Sequence, residues 1–169
     1  MVVMGFFLGI GISLLKPLIK QQKVSQTRNI ILSARFAILG YAISSKDLPD
    51  TLNQAGARSI DAFGKQIYYI KANISDLCND TSTGLSIKDD CPDPSCSGVV
   101  EIKDIAVILV SGGRNQNVQT RIINNGVVNI YKPHVQVDDY AGDVSRIEEY
   151  DDIVEYISLA ELKGRICSP

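Results

Sequence analysis

The chain reads as an α+β protein in which one long N-terminal helix packs on a small antiparallel sheet. Three observations carry this expectation. Residues Met1 to Leu15 hold no charge and a single hydroxyl, Ser13, so a helix there is apolar on every face. Val24, Thr27, Ile31, Ala34 and Ile38 then follow three-four spacing, the mark of a helix with one buried stripe. Far downstream, Ile105-Ala-Val-Ile-Leu-Val110 is an unbroken apolar run of strand length, followed at once by Ser111-Gly112-Gly113. The expected division is a long helix over 1–45, apolar over 1–15 and amphipathic over 18–43, and a globular α+β domain over 46–169. That domain carries a cysteine-containing loop insert and a C-terminal acidic loop.

At about 1.5 Å per residue the apolar part spans roughly 22 Å, short of the ~20 residues that cross a bilayer. No basic segment precedes it, so it makes a poor cleaved signal peptide as written. Two explanations stand: the helix dips into a membrane, or the sequence starts inside a longer transmembrane helix. Pro17 is expected to kink the helix where it continues. The cluster Lys16, Lys20, Lys23 and Arg28 suits anionic headgroups and equally suits a solvated face. Gly5 and Gly9 form a Gly-x-x-x-Gly face that permits close helix approach, though glycine is common in such helices anyway. Together with Leu14 and Leu15 they are the helix-assembly candidates.

Polar turn formers and Pro49 end the helix near Ser44–Pro49, and Thr51–Ser59 reads as a connector. Asp61–Gly64 predicts a turn and Gln66–Ala72 the first strand. The Cys78–Gly98 insert, dense in Asp, Ser, Pro and Gly, reads as a bridged surface loop rather than a buried element. Gln119–Ile123 and Val127–Tyr131 predict a hairpin turned at Asn125-Gly126. Asp151–Ile157 is a last strand, and Ser158 caps a terminal helix with Glu161 as its reciprocal partner.

A formal charge of −2 and a pI near 5.4 leave no basic footprint for nucleic acid. Cys78, Cys91, Cys96 and Cys167 permit three complete disulfide pairings, and sequence does not choose among them. Cys91-Pro-Asp-Pro-Ser-Cys96 also has a zinc-ligand spacing, but no second arm accompanies it. A disulfide-bearing domain behind a membrane-leading helix points outside the cytoplasm. The segment 138–152 holds seven carboxylates in 15 residues, which suits either a solvated acidic loop or one organised by calcium, without the EF-hand order. Ser111-Gly112-Gly113 is not a nucleophile elbow, and His134 is the sole histidine, so no enzyme motif emerges.

Taken in order, Leu8–Leu18 leading into Gln26-Thr27-Arg28, Asp61-Ala-Phe-Gly64 before Ile67-Tyr68-Tyr69, Val110–Asn115, and Tyr150–Val154 with Ser158–Leu162 give a chain that resembles a pilin-like protein or pseudopilin of bacterial type II secretion and type IV pilus systems. The family's strongest mark, an apolar segment with a glutamate at its fifth mature position, is missing: no acid occurs before Asp47. The resemblance therefore implies roughly 10 to 15 residues ahead of Met1, the leader, the cleavage site and that glutamate among them.

The resemblance implies a non-catalytic filament subunit assembling through its N-terminal helix. It further implies an inner-membrane, single-pass placement with the globular domain in the periplasm. Its partners would be other pilin or pseudopilin subunits, an inner-membrane assembly platform, and membrane lipid before assembly. Calcium in the acidic C-terminal loop is also implied, with Asp139, Asp143, Glu148 and Asp151 as candidate ligands. The alternative is a membrane-anchored periplasmic binding or adhesion module using the cysteine insert or the face near Tyr131 and Tyr140.

Overall fold

A computed structural model describes residues 2–120, 122–123, 126–138 and 144–167, with the backbone alone for residues 2–16, 122 and 123. The chain opens with α1, Val2–Ser45, which carries Pro17 inside it as one continuous helical element. Proline at this place removes one backbone donor, yet the helix continues on either side of it. At 1.5 Å per residue α1 is about 66 Å long. The expected stripe is the face it turns to the domain: Thr27, Ile31, Ala34, Ile38 and Ala42 are all buried.

No helix among the described residues is long and apolar enough to cross a membrane. This overturns the transmembrane reading and the single-pass inner-membrane placement, together with the periplasmic orientation that rested on it. The physical reason lies in the charge spacing. Lys16, Lys20, Lys23, Arg28 and Arg35 recur along α1, so its length and its apolar character do not coincide over a bilayer's thickness.

Beyond α1, Leu48 and Leu52 fold back into the core, and β1 (Tyr68–Lys71) begins the sheet. The insert is more ordered than its composition suggests, because β2 (Ser86–Cys91) runs through it and β3 (Glu101–Ile102) follows. β2 has no strand-like pattern in sequence because only Ile87 and Cys91 are apolar among Ser86, Lys88, Asp89 and Asp90. Its centre is a bulge between Lys88 and Cys91, where Asp90 adopts a φ of 61°.

β4 (Ile105–Ser111) is the central strand, buried along its whole length. β5 (Ile122–Ile123) and β6 (Val127–Tyr131) pair as the expected hairpin, with Asn124 and Asn125 outside the described residues. Gly126 takes a φ of 78°, and a Cβ there would lie 2.3 Å from the Gly84 carbonyl oxygen, so this approach requires glycine. β7 (Gln136–Val137) and β8 (Glu148–Glu149) form a small ladder. β9 (Ile153–Ser158) leads straight into α2 (Leu159–Ile166).

The sheet order is β1-β4-β9, all antiparallel, against a second sheet β3-β2-β6-β5 in which β2 and β6 run parallel. The expectation of one small antiparallel sheet is thus met by the first sheet and exceeded by the second. Three layers result. Val107, Leu109, Ile153 and Ile157 meet α1, while Ile105, Ile108 and Val110 meet Ile87 and Val128 of the second sheet. β4 reads as continuously apolar because it is covered on both faces.

Ser158 caps α2, its hydroxyl accepting from the Glu161 amide at 3.1 Å. The reciprocal half of the expected capping box does not form. Arg35 of α1 draws the Glu161 carboxylate away through hydrogen bonds of 2.8 and 2.6 Å, fastening α2 to α1.

Candidate functional site

The turn Asp61–Gly64 and the end of β4 lie far apart in sequence and meet in the fold. Asp61 is buried; its Oδ1 accepts from the amides of Phe63 at 2.8 Å and Lys65 at 2.9 Å. Its Oδ2 accepts from the Ser111 hydroxyl at 2.7 Å. Thr27 of α1 completes the junction, its hydroxyl accepting from the Ala62 amide at 3.2 Å. The Asp61 carboxylate therefore ties the turn to the strand, and the Thr27 hydroxyl ties the same turn to the helix. A catalytic arrangement of Ser111, His134 and Asp138 is not assembled: Ser111 is buried against Asp61, whereas His134 is 84 % exposed and pairs with Glu149.

A second pair of carboxylates holds the segment after β4. Asp151 Oδ2 accepts from the amides of Arg114 at 2.7 Å and Asn115 at 3.1 Å, and Asp152 Oδ2 from those of Gln119 at 2.8 Å and Thr120 at 2.6 Å. Gly113, at a φ of 56°, lets this loop close on Asp151, whose carbonyl oxygen would sit 2.1 Å from an added Cβ. Tyr150 donates to or accepts from Thr120 at 2.7 Å and packs edge-on against Tyr131, ring centroids 5.3 Å apart. Sequence reading placed Asp151 in an acidic tract; its role as a loop clamp depends on long-range register and leaves no local signal.

The Oδ1 atoms of Asp151 and Asp152 are buried without a hydrogen-bond partner among the described residues. Burial pushes both carboxyls up, Asp152 to about 7, against the smaller opposing pull of hydrogen bonds that include those from the Thr120 and Gln119 amides. A carboxyl whose folded pKa lies above its unfolded value adds stability below the unfolded pKa of about 3.9 and loses it as pH rises through about 7. Asp152→Asn is expected to flatten this part of the stability profile between pH 4 and 8, making the variant relatively more stable at the alkaline end. Urea unfolding of both proteins across that range measures it; parallel profiles would contradict the assignment.

Of the expected calcium ligands, Asp139 and Asp143 lie outside the described residues, as does Tyr140. Glu148 accepts from Asn117 at 2.9 Å, and Asp151 is the loop clamp. Among the described residues, no group of three or more His, Cys, Asp or Glu side chains is placed to hold a metal ion. The helix-assembly candidates Gly5, Gly9, Leu14 and Leu15 belong to the helical backbone of α1, but their side chains lie outside the described residues.

All four cysteines are joined, as Cys78–Cys167 and Cys91–Cys96. The first bridge ties the end of α2 to the loop after β1, and the second is buried beside Tyr131, Val137 and Tyr150. The Cys91-x4-Cys96 spacing thus serves a disulfide rather than zinc.

The outward side of α1 is the remaining feature. Leu18 and Phe36 are each 61 % exposed, Ile43 44 % and Leu32 38 %. At 100° per residue these four fall within roughly 40° of one another, about 140° around the helix from the stripe that meets the sheet. No protein-family model matches the chain, and neither does any curated protein or solved structure. At the level of architecture it is an α+β domain whose long N-terminal helix packs on a small open sheet, consistent with a generic pilin-like arrangement.

Proposed function

We propose that the chain is a non-catalytic structural subunit of a pilus-like or secretion-pseudopilus-like filament, in which α1 packs against the helices of neighbouring pilin-like subunits. The observation that supports this reading most is the second apolar face of α1. A helix serving only its own domain needs one apolar stripe, and α1 carries a second, exposed line of apolar residues about 140° around from it. Leu18, Leu32, Phe36 and Ile43 form a line about 37 Å long at 1.5 Å per residue, straight enough for another helix to lie along it. Contacts of this kind, made by one face to a different face on the next subunit, propagate into a filament instead of closing.

The test is the double substitution Leu18→Glu with Phe36→Glu, both 61 % exposed. Both residues point away from the sheet, so the folded monomer should unfold within about 1 kcal/mol of the parent, as surface changes do. Assembly, followed by sedimentation and by electron microscopy with co-expressed pilin-like subunits, should be lost. Filaments that form equally well from the double variant would remove the reading.

A further inference from the structure

The middle sheet ends on one side at β9, with no further strand beyond it among the described residues. Ladder parity fixes which backbone groups face outward there. The Ala72 amide donates to the Ala106 carbonyl at 2.9 Å, so Ile108 and Val110 bond to β1, and Val107, Leu109 and Ser111 bond to Ile157, Glu155 and Ile153 of β9. Val154 and Tyr156 are left with amides and carbonyls aimed away from the sheet. Arg35 Nε agrees with this, reaching the Tyr156 carbonyl from outside at 3.2 Å. Among the described residues nothing does the same for Val154.

An exposed edge is usually blunted, because it templates further pairing. Here Arg35 covers the Tyr156 end, and the Val154 end is recessed. A groove of about 580 Å³ runs along it, with Val24, Arg28 and Leu32 of α1 as one wall and Asp89, Asp90 and Tyr131 at the ends of β2 and β6 as the other. Six carboxylates line this groove against two guanidiniums and one imidazole. The walls are the outer layers of the fold and the floor is the open rim of its middle layer.

We infer that this groove receives an extended peptide segment of a partner protein, alternating apolar with Lys or Arg residues, which adds to β9 as a further strand. Side chains of an added strand point alternately to the two faces of the sheet. One set would meet Val24 and Leu32, which suits apolar residues, and the other Asp89 and Asp90, which suits cations. The acidic lining disfavours the β9 of a second copy, whose Ile153–Ser158 brings Glu155 and no cation. This inference rests on β9 and shares only Leu32 with the α1 contacts proposed above.

A short synthetic peptide of alternating Lys and Val, titrated into the full disulfide-bonded chain and followed by backbone amide NMR, tests it. Saturable shifts are expected at Val154 and its neighbours. Two control peptides, one N-methylated at alternate amides and one with Glu for Lys, should each bind at least about tenfold more weakly, a difference of about 1.4 kcal/mol. Val154→Pro removes an amide that the β4 ladder does not use, and should weaken binding likewise in a folded protein. If that variant does not fold, Asp89→Asn on the wall serves instead. Equal binding by either control peptide, absence of saturable binding, or pairing of two copies through β9 would each overturn the inference.

Discussion

Replacing Cys78 and Cys167 together by serine is expected to lower the free energy of unfolding by about 4 to 5 kcal/mol, whereas the same change at Cys91 and Cys96 lowers it by about 2 kcal/mol. The contrast follows from the lengths closed. The first bridge spans a sequence separation of 89 and the second a separation of 5, and the entropy removed from the unfolded chain grows with the logarithm of the loop. The larger loss is a sizeable share of the 5 to 15 kcal/mol that holds a typical domain folded. It falls at the last turn of α2, where the bridge anchors the residue that caps the helix and adds to the hold of buried Leu162 and Ile166 and of the Arg35–Glu161 pair. Urea unfolding of the two double variants beside the parent measures both effects. Equal losses would show that native-state strain or residual unfolded structure outweighs loop entropy.

Asp61→Ala is expected to destabilise by about 2 to 4 kcal/mol, because it strands the buried Ser111 hydroxyl and two partly buried amides at once. The amides of Phe63 and Lys65 and the hydroxyl of Ser111 all lose their acceptor. Ser111→Ala should cost about 1 to 2 kcal/mol, since one hydrogen bond goes and the carboxylate keeps its two amides. Asp61→Asn should fall near Ser111→Ala, as the amide oxygen still accepts from the turn and the amide nitrogen can donate to the serine. A double-mutant cycle between positions 61 and 111 reads the coupling directly. Additive losses would mean that the turn and β4 are held together by packing alone.

The buried stripe of α1, the central strand Ile105–Val110 and the Ser158 cap were legible because each is a local pattern: three-four spacing, continuous apolarity, and a capping side chain beside the first helical turn. β2 was not legible. Its sequence Ser-Ile-Lys-Asp-Asp-Cys looks like loop, and it becomes a strand because β6 runs beside it and Ile87 and Cys91 point into cores. The capping box failed by half for a similar reason, an arginine 126 residues earlier outcompeting the local amide for Glu161. At the candidate site, Asp61, Ser111 and Asp151 stand in the sequence as turn or acidic residues, but the bonds that give them their roles cross dozens of residues.

By itself the sequence determined that this protein has one long N-terminal helix with a sheet-facing stripe, a central buried strand and four cysteines able to pair. These depend on spacing and residue type, which a chain carries before it folds. Tertiary structure alone decided the parallel pairing of β2 with β6, the partners of each cysteine, the double use of Asp151 and Asp152 as loop clamps, and the outward apolar line on α1. The last depends on which side of a helix with apolar residues on more than one face the sheet covers. That choice is made by complementarity of packed surfaces, which no local stretch of sequence contains.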